Sequence, residues 1–237
     1  MNSGKAMHRQ LALGFTLRDN TSFTTFAMGD NKQLVNDLKR SVAGNSEQFI
    51  YLWGGTGAGK THLLQAACQH ASEIGQSALY LPLRDAEAFG PEILQDLENL
   101  DLLCIDDIDA IAGNSTWEEA LFHLYNRLRD GRTRLITTAG YSPLTLPLKL
   151  PDLRSRLSWG LSYQIAVLND TEKRTLLINE CQRRGLTLST ETADYILRHT
   201  SRDVGSLKEL IEQLDKASLA AQRRLTIPFI KAVLQER

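Results

Sequence analysis

Between residues 54 and 61 the chain reads Gly54-Gly55-Thr56-Gly57-Ala58-Gly59-Lys60-Thr61, after the apolar run Gln48–Trp53 and at the start of a helical pattern over Lys60–Ile74. A glycine-rich turn that joins a strand to a helix is typical of a P-loop, in which backbone N–H groups and the helix N-terminus surround phosphates. In such a loop Lys60 reaches the β- and γ-phosphates, and the hydroxyl of Thr61 binds Mg²⁺. The sequence therefore predicts a nucleotide phosphate site, without indicating which base it prefers.

A second signal follows the P-loop at Asp106 and Asp107, which end the apolar run Leu102–Ile105. An apolar strand ending in carboxylates is typical of a Walker B element. We expect Asp106 to hold Mg²⁺, directly or through water, and Asp107 to polarise an attacking water. A buried strand that ends in a polar turn is the common alternative, but the upstream P-loop favours the Walker B interpretation.

Two arginines, Arg154 and Arg156, lie in a predicted loop over Leu150–Gly160. Isolated loop arginines are usually solvated surface charges. A permanently charged, planar guanidinium is also the group that stabilises charge on a transferring phosphoryl group, and a neighbouring subunit can supply it in trans. Composition does not decide between the two.

The rest of the chain divides into two patterns. Up to Val167, apolar runs alternate with helical patterns, which predicts a parallel α/β sheet. The predicted strands are Gln48–Trp53, Ala78–Leu83, Leu100–Ile105, Arg134–Thr138 and Leu161–Val167. A further helix is predicted over Trp117–Leu128, with a capping box formed by Ser115 and Glu118.

After Asn169 the sequence has only helical patterns, over residues 172–184, 191–200, about 207–217 and a last stretch capped by Thr226. We therefore predict a P-loop αβα sandwich over residues 23–167 and a small all-α domain over residues 168–237. Residues 1–22 show no periodicity and are predicted to form a flexible N-terminal arm.

Composition excludes several classes of protein. With 27 basic and 28 acidic residues among 237, the chain lacks the cationic excess that phosphate-dominated DNA binding requires. No apolar run is long enough to span a membrane, and the N-terminus lacks the apolar core of a signal peptide. The three cysteines have no metal-ligand spacing, and their odd number argues against a disulfide framework. We expect a cytoplasmic protein.

Together, the P-loop, the paired aspartates, the arginine segment ending in Trp159-Gly160 and the C-terminal helices resemble the AAA+ core and helical lid of the bacterial DnaA replication initiators. The stretch Thr21–Asn31 resembles the segment that lies beside the nucleotide base in that family. Initiators continue into a helix-turn-helix domain, whereas this sequence ends at Arg237 directly after the predicted lid. We therefore expect no sequence-specific DNA binding.

The stretch Gln10-Leu11-Ala12-Leu13-Gly14-Phe15 is similar to the short peptides that dock on the replicative sliding clamp. With the initiator-like core, it makes the chain resemble the Hda group of DnaA regulators, AAA+ proteins that inhibit replication initiation. The resemblance implies three partners: the sliding clamp, bound through Gln10, Leu11, Leu13 and Phe15; the initiator in its ATP form; and a second copy of the chain.

The resemblance also assigns roles to individual residues. The phosphate-contacting residues it implies are Gly54, Gly55, Thr56, Gly57, Ala58, Gly59, Lys60, Thr61 and His62. Arg156 matches the family's arginine finger, and Asp106 would sit at Mg²⁺. The chain departs from the pattern at Thr137-Thr138-Ala139, where initiators often carry an acidic sensor, and at Lys208, where AAA+ proteins commonly place a sensor arginine. A lysine supplies charge without the two-pronged geometry of arginine.

Both departures favour a protein that holds ADP or ATP better than it hydrolyses it. The first hypothesis is a regulator that docks on the clamp and inserts Arg156 into the initiator's ATP site, with weak turnover of its own. The second is a self-sufficient ATPase such as a helicase loader, which the intact Asp106 and Asp107 pair favours. A phosphoryl-transferring kinase is disfavoured, because it would need neither the helical lid nor the Trp159-Gly160 segment.

Overall fold

The computed structural model of the chain describes residues 21–221 and 224–235, so the predicted clamp peptide at residues 10–15 lies outside the described residues. Its helices and strands are α1 Lys32–Val42, β1 Phe49–Trp53, α2 Lys60–Glu73, β2 Ala78–Pro82, β3 Leu102–Asp106, α3 Ser115–Arg129, β4 Arg134–Ala139, α4 Pro151–Leu157, β5 Leu161–Gln164, α5 Asp170–Arg183, α6 Thr190–His199, α7 Val204–Ala221 and α8 Ile227–Gln235.

The five strands form one parallel sheet in the order β2-β3-β4-β1-β5. Because β1 and β3 flank β4, their carboxyl ends, which carry the P-loop and the paired aspartates, meet at one edge of the sheet. A crevice at the carboxyl ends of the strands is where open α/β sheets bind ligands. The predicted parallel sheet is confirmed, and the last strand ends at Gln164 rather than Val167.

Two hydrophobic cores sandwich the sheet, because successive side chains of a strand point to opposite faces. Tyr51 of β1 packs with α3 and α4 on one face, whereas Ile50 and Leu52 pack with α1 and α2 on the other. Leu102 and Leu103 of β3 divide between the two cores in the same way. The result is a three-layer αβα sandwich.

Two sequence predictions about α3 and α4 are wrong. Asn114, not Ser115, is the N-cap of α3, with its side chain accepting a hydrogen bond from the Trp117 N–H at 3.4 Å. Residues 151–157, predicted to be part of a loop, form α4, which begins at Pro151 in the first turn where a missing N–H costs nothing.

Glu118 connects α3 to the start of α4 instead of closing a capping box. Its side chain is fully buried. Its carboxylate accepts backbone N–H hydrogen bonds from Gly113 at 2.6 Å, Lys149 at 3.2 Å and Leu150 at 2.7 Å. A buried carboxylate is stable only when such donors surround it. Glu118 therefore fixes Leu150, the residue that directly precedes α4.

Helices α5 to α8 enclose a third core of their own, with Leu177, Ile196, Leu207, Ile211 and Leu214 at its centre. A capping box joins Asn169 and Glu172 at the start of α5. Across residues 21–221 and 224–235, the structure contains no helix with the length and apolar character that crossing a bilayer requires.

Candidate nucleotide site and an arginine face

The P-loop connects β1 to α2 through glycines in conformations that other residues rarely adopt. Gly57 has φ 76° and Gly59 has φ 98°. A Cβ on Gly59 would lie 2.7 Å from the Phe26 ring, and one on Gly57 would lie 2.5 Å from Asp203 Cβ. The loop therefore needs glycine both for its backbone conformation and for the close approach of residues from outside it.

Lys60 is buried at the start of α2 and is held by the loop itself. Its Nζ donates to the carbonyl oxygens of Gly54 at 2.9 Å and Gly55 at 3.2 Å. These partners are neutral, so the positive charge at the centre of the loop is left available to an anion. A phosphate group is the anion that a ring of inward N–H groups and one lysine accommodates best.

Asp106, at the end of β3, is surrounded by hydroxyl groups. Its Oδ2 accepts from Thr61 at 2.6 Å and from Tyr80 at 2.8 Å, and its Oδ1 accepts from Thr138. Hydroxyl and carboxylate oxygens are the ligands that Mg²⁺ prefers, and Mg²⁺ usually takes only one or two protein ligands beside phosphates and water. Thr61 and Asp106 therefore fit Mg²⁺, although the described residues contain no group of three or more acidic, His or Cys side chains arranged to hold a metal ion by themselves.

Asp107 follows in a left-handed conformation, with φ 55°. Its N–H donates to Thr138 Oγ1 at 2.9 Å, and its carboxylate pairs with Arg84 Nε at 2.5 Å. Burial, together with the nearby charge of Asp106, raises the pKa of Asp107, whereas Arg84 opposes the shift. The hydroxyl of Thr138 thus connects the two aspartates, because it donates to the Asp106 carboxylate and accepts from the Asp107 N–H. Thr138 belongs to the Thr137-Thr138-Ala139 segment, where the sequence departs from the acidic sensor of the family.

A cavity of about 1000 Å³ extends from the P-loop to the C-terminal helices. This volume is at the upper end of the range for small-molecule sites. Phe26 from the N-terminal segment, Asp107 from the sheet edge, and Asp203 and Lys208 from α7 and the residue before it all line the cavity. The structure therefore brings both predicted carboxylates, the P-loop and Lys208 together around one space.

His62 and Lys208 both contact the segment that begins at Thr21. His62 Nε2 lies 2.9 Å from the Ser22 carbonyl oxygen, and its ring packs against Phe26. Lys208 Nζ donates to the Thr25 carbonyl oxygen at 2.8 Å. Burial is the main cause that lowers the pKa of both side chains. The phosphate contact that the resemblance implies for His62, and the nucleotide-sensing position that it implies for Lys208, stay predictions; in the structure both side chains are turned toward this segment.

Arg156 is in a different place, on a surface that we call the arginine face, formed by Phe122, Arg129, Arg156 and Trp159. Its guanidinium lies 4.2 Å from the Trp159 ring centroid and 5.3 Å from that of Phe122. Its Nε donates to Asn126 Oδ1 at 3.1 Å. It does not line the cavity, and it forms no ion pair with any residue in the described ranges.

The other arginine of α4 is turned inward. Arg154 donates from Nη2 to the Leu148 carbonyl oxygen at 2.8 Å, and its Nε is buried without a partner among the described residues. Arg129, the neighbour of Arg156 across Trp159, is paired with Asp130 at 3.2 Å. Within the part of the arginine face that the structure describes, Arg156 is therefore the guanidinium whose charge no carboxylate balances.

Residues 17–164 match the family model described as the bacterial DnaA ATPase domain, and this match covers more than half of the chain. The chain belongs to the bacterial DnaA family. Residues 170–234 match a second model, described as the lid domain of Hda. This DnaA-family chain thus combines an initiator-type ATPase domain with an Hda-type lid, which confirms the resemblance seen in the sequence.

Solved structures show the same fold. Domain III of DnaA from Thermotoga maritima is similar with a TM-score of 0.77 at 20% identity, over 94% of this chain and 98% of that one. AMPPCP-bound DnaA from Aquifex aeolicus is similar with a TM-score of 0.73 at 24% identity, over 86% and 67%. The Thermotoga maritima RuvB branch migration motor gives 0.69 at 18% identity, over 92% and 72%. The DnaA-family chain therefore has the AAA+ fold with a helical lid.

Two residues of the DnaA-family site, Tyr80 and Arg84, were missed by sequence reasoning, and Thr138 was noted only as part of the Thr137-Thr138-Ala139 segment. Tyr80 lies in the middle of β2, Arg84 in the turn that follows β2, and Thr138 near the end of β4; β2 and β4 are the neighbours of β3 in the sheet, so all three side chains reach the aspartates. Their importance depends on strand order, which no local pattern contains. The available signal was a polar residue at the end of a predicted strand, which fits Arg84 and Thr138 but not Tyr80, because Tyr80 lies inside the predicted strand Ala78–Leu83.

Proposed function

We propose that this chain is a negative regulator of replication initiation that holds ADP or ATP in its own cavity and supplies Arg156 to the ATP site of the initiator DnaA. Residues 23–167 would form the nucleotide-binding domain and residues 168–237 its lid. The observation that carries the proposal is the position of Arg156, which lies outside the chain's own cavity with its charge unbalanced by any described carboxylate.

The chain's own cavity would hold the nucleotide phosphates on the P-loop N–H groups and Lys60. Thr61 and Asp106 would hold Mg²⁺, which when bound neutralises phosphate charge. Support comes from the glycine-dependent loop and from the neutral partners of Lys60, which leave its charge free for an anion. A bound nucleotide would touch both the P-loop and the lid residue Lys208, and so would stabilise their relative arrangement.

Arg156 would act on a second AAA+ subunit. Since its guanidinium is held by aromatic rings and an amide, it keeps its full charge while losing much of its conformational freedom. In an initiator's ATP site it would stabilise the negative charge that develops on the transferred phosphoryl group. The same surface could contact a second copy of this chain, which would form a homodimer.

The clamp would serve as a tether through Gln10, Leu11, Leu13 and Phe15. Tethering raises the effective concentration of the two proteins on DNA, so each individual contact can be weak. A direct test is co-elution with purified sliding clamp. The wild type should co-elute and the Gln10→Ala/Leu13→Ala variant should not, whereas equal behaviour of the two would reject the tether.

The test of the main proposal is hydrolysis of initiator-bound ATP in the presence of DNA-loaded clamp. Since a fully engaged finger contributes ~10³–10⁵-fold, Arg156→Ala should lower the stimulated rate at least about a hundredfold. Arg156→Lys should retain a small part of it, because lysine keeps the charge without the planar fork. Arg129→Ala is the matched control from the same face and should keep the saturating rate. An unchanged rate with Arg156→Ala would reject the proposal.

A helicase-loader ATPase is the second candidate, favoured by the presence of both Asp106 and Asp107 at the cavity. It predicts steady ATP turnover by the isolated chain that Lys60→Ala abolishes. Negligible turnover together with tight binding of a nucleoside diphosphate would reject this candidate and leave the regulator.

A further inference from the structure

Asp203, the residue directly before α7, touches the P-loop from the side of the C-terminal helices. Its Cβ packs so closely on Gly57 that a Cβ on this glycine would lie 2.5 Å away. Both residues line the cavity proposed to hold the nucleotide. Lys60, three residues further along the loop, is the group that reaches the β- and γ-phosphates of a bound nucleotide. The Asp203 carboxylate therefore borders the part of the cavity that these phosphates would occupy.

The fold fixes the Asp203 side chain at the start of α7. Its Oδ1 accepts a hydrogen bond from the Ser206 N–H at 2.8 Å, in the manner of an N-cap, and its Oδ2 accepts one from the Ser201 hydroxyl at 2.5 Å. Burial would raise the pKa of Asp203, but these hydrogen bonds outweigh burial and lower the pKa. The carboxylate is therefore ionised at neutral pH and is held in one position.

The negative charge of Asp203 has no cationic partner among the described residues, because the two donors that hold it are neutral. The other carboxylates at this end of the cavity differ, since Asp107 pairs with Arg84 and Asp106 would bind Mg²⁺. Lys208, a cation on α7, donates to a backbone carbonyl oxygen of the N-terminal segment. The charge that the start of α7 presents to the P-loop is therefore negative.

We propose that Asp203 is a specificity-determining residue that makes the cavity favour a nucleoside diphosphate over a triphosphate. The inference rests on the nucleotide binding proposed above and adds the residue that distinguishes the two ligands. A γ-phosphate would bring additional negative charge close to an unbalanced carboxylate, whereas a diphosphate would place less charge there. Even in bulk water, two like charges about 4 Å apart repel each other enough to weaken binding about fivefold.

The experiment measures the Kd of ADP and of a non-hydrolysable ATP analogue, both with Mg²⁺, by isothermal titration calorimetry of the isolated full chain. The wild type should bind ADP more tightly than the analogue. Asp203→Asn should lower the ratio of the analogue Kd to the ADP Kd about fivefold or more, because the amide removes the charge and keeps the N-cap. Glu212→Gln is the matched control and should leave the ratio unchanged, because Glu212 lines the cavity about 13 Å further along α7.

A readout without nucleotide separates this effect from damage to the lid. Since Asp and Asn are equally good N-caps, Asp203→Asn should lower the Tm of the nucleotide-free chain by no more than about 4 °C, whereas Asp203→Ala, which loses the cap, should lower it further.

Three results would each overturn the proposal: an unchanged Kd ratio in Asp203→Asn, an equal change in Glu212→Gln, or a wild type that binds the analogue as tightly as ADP. A wild type that binds neither nucleotide would reject the proposed nucleotide binding and this inference together. Binding of both nucleotides with an unchanged ratio in Asp203→Asn would reject the inference alone.

Discussion

Glu118 offers the sharpest stability test, because one buried carboxylate fixes the start of the helix that carries Arg156. Replacing Glu118 by Ala removes the acceptor of three backbone N–H groups, at Gly113, Lys149 and Leu150. The three hydrogen bonds are partly buried, and a donor that loses its partner in such a place costs up to about 1–3 kcal/mol. Since partial relaxation makes such costs less than additive, we expect a total of about 3–4 kcal/mol.

For a chain of this size about 1 kcal/mol shifts Tm by about 2–4 °C, so Glu118→Ala should lower Tm by about 6–16 °C. Glu119→Ala is the matched control, since Glu119 is the next residue and is exposed. Thermal unfolding monitored by circular dichroism measures both variants. Glu118→Gln should fall between them, because its amide keeps one acceptor oxygen. A Glu118→Ala Tm equal to that of Glu119→Ala would refute the reasoning.

Three further predictions follow from the cavity. Lys60→Ala should weaken ADP binding about 10–100-fold in a fluorescent-nucleotide titration, since hydrogen bonds to charged groups contribute about 1.5–3 kcal/mol; equal affinity would place the phosphates elsewhere. Gly59→Ala should lower Tm more than Gly75→Ala, because both glycines have positive φ but only Gly59 faces a ring; equal losses would show that the contact with Phe26 carries no cost. Burial lowers the pKa of His62. His62 therefore contributes stability that is present above its unfolded pKa of about 6.5 and is lost as the pH falls through the folded value. The wild type should lose more stability than His62→Gln between about pH 7.5 and 5.5, and parallel curves of stability against pH for the two proteins would contradict this.

The sequence allowed the sheet and the P-loop to be predicted because their signals are local. Gln48–Trp53 is apolar, the glycines follow it, and the helical pattern begins at Lys60, so strand, turn and helix are all visible in one stretch. Strand ends were less accurate: Leu161–Val167 is apolar beyond Gln164, where sheet pairing stops. Hydrogen bonding to β1 determines that boundary, and hydrophobicity alone does not report it.

Two features were harder to predict: a very short helix, and an N-cap that lies one residue before the predicted one. With seven residues, α4 is too short for a helical period to be recognised, although Pro151 is a start signal. Asn114 and Ser115 are adjacent and both suit an N-cap, so the sequence alone could not choose between them. By contrast, α1 has buried Leu34, Val35, Leu38 and Val42 at helical spacing, which is a local signal sufficient to predict this helix.

The partners of the aspartates could not have been found from local patterns. Tyr80, Arg84 and Thr138 approach Asp106 and Asp107 only because β2 and β4 flank β3. Likewise, the sequence shows two arginines in one segment but does not indicate that their environments differ. In the structure Arg154 donates to the Leu148 carbonyl oxygen, whereas the Arg156 guanidinium stacks on the Trp159 ring.

The most direct test of the account is a single-turnover measurement with two differently loaded proteins. The initiator carries labelled ATP, the chain carries unlabelled ADP, and both are mixed with DNA-loaded clamp, so that released labelled phosphate can come only from the initiator's nucleotide. We predict fast release with the wild-type chain and a rate at least about a hundredfold lower with Arg156→Ala. Equal release rates with the two proteins would contradict it.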